Sequence, residues 1–261
     1  MKLVIMNSSY RKHGNTEIIV KLLKEQLTKE VRNLGETVEI EEISLSELRI
    51  ETCRGCRACF NISEQSCPLK DEVLPLYDKL KQADGIILAS PVYVEDINGS
   101  MKNWIDRMAF NCHRPFLCGK PVMLFVTTGR AASNHAIRTM GSAIGSWGGV
   151  ISGTSIYRMG ELMSADAAKR RYGEKVRRQS ILLLQSIKKS KPSIYSLIAF
   201  AIQQMVWQQE EYNNTADYRY WKEQGWLEKK CYYYRKDLRY GVRIRLVRLL
   251  GLLAGRYYIR T

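Results

Sequence analysis

The chain lacks the features that would send it through or into a membrane as a spanning protein. Met1-Lys2 passes directly into Leu3-Val4-Ile5-Met6 and then polar Asn7-Ser8-Ser9, which leaves no signal-peptide core of adequate length. The longest uncharged stretch, Pro192 to Gln209, holds Gln203, Gln204, Gln208 and Gln209 and is too polar for a span of about 20 residues. Histidine is scarce, and His13, His113 and His135 form no ligand pattern, so a catalytic or metal-binding histidine set is not expected. Neither a Walker loop nor a G-x-G-x-x-G fingerprint occurs, which removes the two commonest nucleotide cradles. Seven cysteines are an odd number, and four of them crowd between Cys53 and Cys67. That pattern argues against a disulfide framework and for metal binding in a reducing compartment. A cytoplasmic location is the expectation.

What is present is a folded, water-soluble composition, 45% apolar and 26% charged over 261 residues. A chain of this size buries a core without disulfides. Acidic residues are depleted late in the chain. Up to Asp166 there are 20 basic and 19 acidic residues; from Ala167 onward there are 21 and 7, so nearly all of the +15 lies there.

Short apolar runs alternate with longer amphipathic ones. Strands are predicted at 2–6, 37–43, 84–90, 121–127 and 149–157, those at 2–6 and 84–90 fully buried and that at 37–43 alternating, and helices at 15–33, 72–82, 97–110, 133–147 and 165–189. Alternation of this kind implies a doubly wound α/β fold, a five-stranded parallel sheet covered on both faces. Its ligand crevice lies at the carboxyl edge of the strands. The loops after Met6, Ser90 and Thr127 are therefore the expected functional loops. A domain spanning 1–190 is expected, followed by a basic, aromatic helical extension over 191–261.

The first loop, Asn7-Ser8-Ser9-Tyr10-Arg11-Lys12-His13-Gly14-Asn15-Thr16, joins strand to helix with hydroxyls, a glycine and two cations. Unpaired N–H groups at a helix start suit a phosphate dianion. Ser8, Ser9 and Thr16 offer hydroxyls, Arg11 a charge-assisted bond, and Asn15 a helix-start contact. An ordinary capped loop has the same composition. The second loop reads Ser90-Pro91-Val92-Tyr93-Val94, followed by Lys102 and Asp106-Arg107 on a helix. Together the two loops resemble the NADPH-dependent FMN reductase family of the flavodoxin-like fold, with its Ser-x-Arg-x-x-x-Asn-Thr phosphate cradle and Ser-Pro-x-Tyr strand end. Thr128-Gly129-Arg130 resembles that family's Thr-Gly-Gly turn, with Arg130 departing from the second glycine. The resemblance implies FMN as cofactor, held by Ser8, Ser9, Arg11, Gly14, Asn15 and Thr16. Pro91, Val92, Tyr93 and Val94 would frame the ring, and Thr128, Gly129 and Arg130 its far edge. A nicotinamide donor, NAD(P)H, is implied by the same resemblance, and FAD stays open beside FMN.

Cys53-x-x-Cys56-x-x-Cys59 followed by Cys67 is the sharpest local signal. Thiols at every third position, with a fourth beyond, suit the separate iron corners of a cubane, whereas one zinc more often takes two separated knuckles. A zinc site, a redox disulfide and an empty structural loop are the alternatives. The spacing resembles the iron-sulfur flavoproteins of the same family, and this implies a 4Fe–4S cluster held by Cys53, Cys56, Cys59 and Cys67 and trading single electrons with the flavin. Cys112, Cys118 and Cys231 lack such spacing and read as incidental thiols.

In the extension, Ile194, Leu197, Ile198, Ala201, Met205 and Gln208 trace one helix face. Arg245, Arg248 and Arg256 fall near one line of a Leu-rich segment that also holds Arg243. Packing on the protein's own body or a second subunit, contact with an anionic membrane, and docking of an acidic ferredoxin-type partner are the readings; no nucleic-acid module is recognisable. The expected activity is that of an FMN-dependent oxidoreductase in a homodimer or homotetramer, with a non-enzymatic flavin and iron-sulfur relay as the alternative.

Overall fold

A computed structural model describes residues 1–130, 133–235 and 242–260. Strand β1 (Lys2–Asn7) leads into α1 (Asn15–Asn33), then β2 (Glu39–Ser44), the short α2 (Ala58–Asn61) and α3 (Val73–Gln82). Next come β3 (Gly85–Tyr93), β4 (Asp96–Ile97), α4 (Gly99–Arg107), β5 (Pro121–Thr128), α5 (Asn134–Ser146), β6 (Val150–Arg158) and α6 (Ala165–Lys188). Helices α7 (Ile194–Trp207), α8 (Ala216–Glu223) and α9 (Val242–Arg260) form the extension.

The parallel strands lie in the order β2-β1-β3-β5-β6. Leu3 sits opposite both Ile40 and Gly85, so β1 is central and its side chains are covered on both faces. That is why Lys2 to Met6 reads as one continuous apolar run. Helix α1 buries Ile19, Val20, Leu23, Leu27 and Val31, a stripe at spacings of three and four that meets Tyr172, Val176, Leu183 and Leu184 of α6 on one sheet face. Helices α3, α4 and α5 cover the other face around Trp104 and Trp147. The Lys120 ammonium donates to the last carbonyls of α3, Leu80 and Lys81 (3.1 and 2.9 Å), where a cation satisfies orphan acceptors at the helix end.

Two elements differ from the sequence expectation. The helix expected over 97–110 is shorter, because β3 runs on through Tyr93 and folds back as a hairpin onto β4, pairing Val92 with Ile97. Val94 and Glu95 both take positive φ (48° and 67°) at its two-residue turn. In α7 the buried face is Leu197, Phe200, Ala201, Gln204 and Trp207, while Ile194 and Gln208 lie outside it. Gln204 is drawn inward because its amide donates to the carbonyls of Glu228 and Cys231 (3.1 and 3.2 Å), adding a side-chain donor to a turn that the Cys231 N–H also closes onto Glu228 O (2.9 Å).

The extension has an apolar cluster of its own: Phe200, Trp207, Trp221, Trp226, Tyr233 and Tyr234. It docks on the segment between α4 and β5. Trp221 donates to His113 O (2.7 Å), Tyr220 to Pro115 O (3.1 Å) and Gln203 to Cys112 O (2.7 Å). No described helix is long and apolar enough to cross a membrane.

Candidate functional site

Between β1 and β3 the chain switches from one side of the sheet to the other, and the loops leaving these strands splay apart at their carboxyl ends. A cleft of about 1030 Å³ opens there. Ser9, Arg11, Gly14, Asn15 and Thr16 line it from the first loop, Pro91, Val92 and Tyr93 from the second, and Thr128, Gly129 and Arg130 from the third. The topology thus gathers eleven of the thirteen cofactor residues expected from sequence.

The start of α1 is built to leave its amides open. Gly14 occupies the N-cap position with extended backbone and supplies no side-chain acceptor. A Cβ at Gly14 would sit 3.1 Å from Arg11 Cβ and 3.3 Å from Arg11 O, so the loop wraps tightly where only glycine fits easily. Ser9 Oγ accepts from Arg11 N (3.2 Å), and Ser9 N donates to Asn7 Oδ1 (3.0 Å), which fixes the curve of the loop. An uncapped helix start with a hydroxyl and the Arg11 cation beside it fits a phosphate monoester.

Ser8 and Val94 do not line the cleft. Ser8 is fully buried; its N–H donates to Ala89 O (3.0 Å), and its carbonyl accepts from Asn98 and from Ser100 Oγ (3.0 Å). It ties the first loop to the second. Val94 stands at the hairpin tip, 99% exposed. Thr16 and Asn15 line the cleft, yet their side chains are engaged: Thr16 Oγ1 meets Thr127 Oγ1 at 2.7 Å, and the Asn15 amide bridges Glu161 O (3.2 Å) and Met163 N (2.9 Å).

The second bridge reveals a wall absent from the sequence expectation. Gly160, Glu161 and Leu162, after β6, close the cleft beside Gly129, whose own Cβ would lie 3.6 Å from Gly160 O. Lys12, His13 and Thr127 also line it. The signal was available: β6 ends at the same edge as β1, β3 and β5, so its loop belongs to the crevice by topology alone. The hairpin is braced by Asp96, which accepts from Ile97 N (2.7 Å), Thr139 (3.1 Å) and His135 (3.1 Å). Burial pushes the Asp96 carboxyl up, but these hydrogen bonds outweigh it and hold the pKa below the usual value.

The cysteine loop occupies a separate place. Asn103 donates to Ile50 O (2.9 Å) and Arg107 to Glu51 O (2.8 Å), so the chain after β2 runs down α4, away from the carboxyl edge. Cys53, Cys56, Cys59 and Cys67 together line a pocket of about 80 Å³ at the far end of α4, with Arg107 and Phe110. From Gly99 to Arg107 the helix rises about 12 Å. Following β2, the loop starts at the carboxyl edge, but its cysteines gather about one helix length below it.

Two buried arginines shape this pocket. Arg107 pairs with Asp71, the side chains only 4% and 1% exposed, and its Nη2 donates to Cys67 Sγ at 3.7 Å. Arg114 pairs with Glu64 (2.9 Å) and with Asp217 of α8 (3.0 Å) and donates to Cys59 O. Burial pushes the Cys59 thiol pKa up, neighbouring Cys67 and Cys53 add to it, and Arg114 opposes. Four thiols around one hollow suit an iron-sulfur cluster by donor type. As placed, no three metal-binding side chains among the described residues stand together as a ready ligand set.

Sheet order and crevice together define a flavodoxin-like α/β protein with an open cleft at the switch point of its sheet. Residues 1–158 match the family described as NADPH-dependent FMN reductase. The chain belongs to this family of flavin-dependent oxidoreductases, for which FMN and NADPH are the named cofactor and donor. It is 31% identical over 234 residues to an iron-sulfur flavoprotein of Archaeoglobus fulgidus, covering 87% of this chain and all of that protein. An iron-sulfur flavoprotein of Methanocaldococcus jannaschii is 36% identical over 107 residues, 41% of this chain and 51% of that one. Some relatives are thus matched over only about half their length. In fold, the chain is similar to an oxidoreductase of Corynebacterium diphtheriae, with a TM-score of 0.55 at 16% identity over 73% of this chain and 98% of that one.

Proposed function

We propose that the cleft seats FMN with its phosphate on the first turn of α1 and its ring against the hairpin of β3 and β4. The observation that carries this reading is the uncapped, glycine-started helix opening into a cleft of about 1030 Å³ at the switch between β1 and β3. The open backbone amides of α1, Ser9 Oγ and Arg11 would bind the phosphate. Pro91, Val92 and Tyr93 would wall the ring, with Tyr93 still 43% exposed and able to cover a flat ligand. Gly129 and Arg130 would meet the opposite end, where a cation favours anionic charge. Bound FMN supplies the hydride and one-electron chemistry, and the protein orients it and shields it from water. No side chain in the cleft needs to serve as acid or base.

The cysteines extend the proposal. Cys53, Cys56, Cys59 and Cys67 would hold a 4Fe–4S cluster, which supplies one-electron chemistry. The support is the common pocket of the four thiols and the Arg107 donor on Cys67, together with the likeness to proteins named iron-sulfur flavoproteins.

Anaerobically purified protein is expected to bind FMN stoichiometrically, to oxidise NADPH with an added acceptor, and to contain about four irons and four labile sulfides per chain. Failure to take up FMN at micromolar concentration refutes the cleft assignment. Flavin without iron or sulfide refutes the cysteine assignment and leaves the reductase reading intact. The Cys67→Ser variant is expected to lose iron while keeping FMN.

A further inference from the structure

Among its described residues, the inner face of α9 is engaged. Gly251 and Gly255 lie against α7 so closely that a Cβ would fall 2.7 Å from Ala201 Cβ and 2.8 Å from Met205 Sδ. Val247 is buried in the aromatic cluster. Arg248, expected near one line with Arg245 and Arg256, turns inward: it donates to Cys231 O (2.6 Å) and Gln204 Oε1 (2.8 Å) and stacks on Tyr232 at 4.4 Å. The outward line is made of leucines instead. Leu246, Leu249, Leu250 and Leu253, at spacings of three, one and three, are 53–59% exposed. The side chains of Arg243 and Arg256 lie outside the described residues.

A helix apolar on both sides is normally covered on both. Two observations identify the cover. The first is charge: from Lys229 to Thr261 there are ten basic residues and one acidic, Asp237. A second copy laid on this face would bring two such segments together, whereas an anionic surface is attracted. The second is size. Among the described residues, the four half-exposed leucines offer a few hundred Å², short of the roughly 800 Å² each partner gives to a stable protein interface. Such a patch suits shallow insertion among lipid chains with arginines at the headgroups. Helix α9 is also not apolar enough to span.

We propose that the leucine face of α9 docks the protein on an anionic phospholipid surface, with α9 lying in the plane of the interface. The leucines enter the acyl boundary, and Arg245, exposed beside them, meets phosphate headgroups. The α7–α9 contact at Gly251 keeps the helix attached to the folded body when it binds.

The test is co-sedimentation of the full-length, FMN-loaded protein with vesicles of mixed phosphatidylglycerol and phosphatidylcholine, against vesicles of phosphatidylcholine alone. Wild type is expected to partition onto the anionic vesicles, and added salt is expected to weaken the binding. The Leu249→Gln/Leu250→Gln variant is expected to bind at least about tenfold more weakly, equivalent to about 1.4 kcal/mol, with its flavin absorption unchanged as the sign of an intact body. Arg245→Gln, a milder change, is expected to weaken binding to anionic vesicles only. Equal binding of wild type to both vesicle types, or unaltered binding of the leucine variant, overturns the proposal. So does a fall in solution mass of the leucine variant without vesicles, which would assign the face to a second copy, or recovery of wild type only with an acidic protein and never with lipid.

Discussion

Val94 carries a φ of 48° at the tip of the β3–β4 hairpin, a left-handed conformation that strongly disfavours a β-branched side chain. Asn tolerates that region, and two-residue hairpins favour it there. Val94→Asn is therefore expected to stabilise the protein by about 1 kcal/mol, seen as a higher Tm. FMN affinity should stay unchanged, because Val94 faces solvent and not the cleft. At Asp71 the effect runs the other way. Its burial raises the pKa, but the Arg107 guanidinium and the Glu51 and Val73 amides more than offset this and leave the pKa depressed. A depressed carboxylate stabilises the fold above its unfolded pKa and loses that contribution as pH falls through the folded value. Asp71→Asn strands Arg107 and is expected to cost about 3–5 kcal/mol at neutral pH. The difference from wild type should shrink on acidification below about pH 4, which urea titrations at a series of pH values would show. Ser9, Arg11, Tyr93 and the four cysteines were legible one by one in the sequence, because each is a chemically distinct side chain in a loop placed by topology. The inward turn of Arg248 was not legible, since only the folded chain sets a carbonyl-rich turn beside it.

Among the elements, α7 and α9 depend on one close approach. Gly251→Leu places a branched side chain where even a methyl meets Ala201 Cβ and the Ile198 backbone (3.3 Å). It is expected to destabilise the extension by about 1–3 kcal/mol, detected as faster limited proteolysis beyond residue 190 with flavin binding retained. Helix α8 reaches the cysteine loop through Asp217, which holds both Arg114 and His113 (2.8 Å to its Nδ1), while His113 packs edge-on against Phe60 beside Cys59. Asp217→Ala is expected to loosen this corner by about 2 kcal/mol and to speed alkylation of Cys59, read by mass spectrometry of labelled peptides. Neither link is visible as a pattern in the chain. Asp217 lies 103 residues from Arg114 in sequence, and no periodicity joins them. The hairpin at 94–95 was missed for a related reason: its turn lacks the Asn-Gly pair that announces such a connection.

Across the whole molecule, the cleft and the cysteine pocket share no lining residue and are separated by the length of α4. The extension braces the second of these, not the first. Its kinship to the A. fulgidus relative reaches into this part of the chain, since 87% coverage exceeds what residues 1–190 alone supply. Removing the extension is therefore expected to spare FMN binding and to impair iron retention, measured as flavin and iron content of a chain ending at Ser190 that is checked for folding by circular dichroism.

The sequence by itself determined the α/β fold, the sheet edge that bears the cleft, and the identity of most residues there. It did so because buried strands must be continuously apolar and parallel crossovers have one hand, so strand ends and loops follow from local pattern. Tertiary structure alone decided that Asn15 ties the loop after β6 to the first loop, that Arg107 reaches Cys67 and Arg114 reaches Cys59, and that α9 shows leucines outward and an arginine inward. Those outcomes rest on contacts between residues tens to more than a hundred positions apart, whose partners are chosen by where buried polar groups can be satisfied rather than by any local propensity.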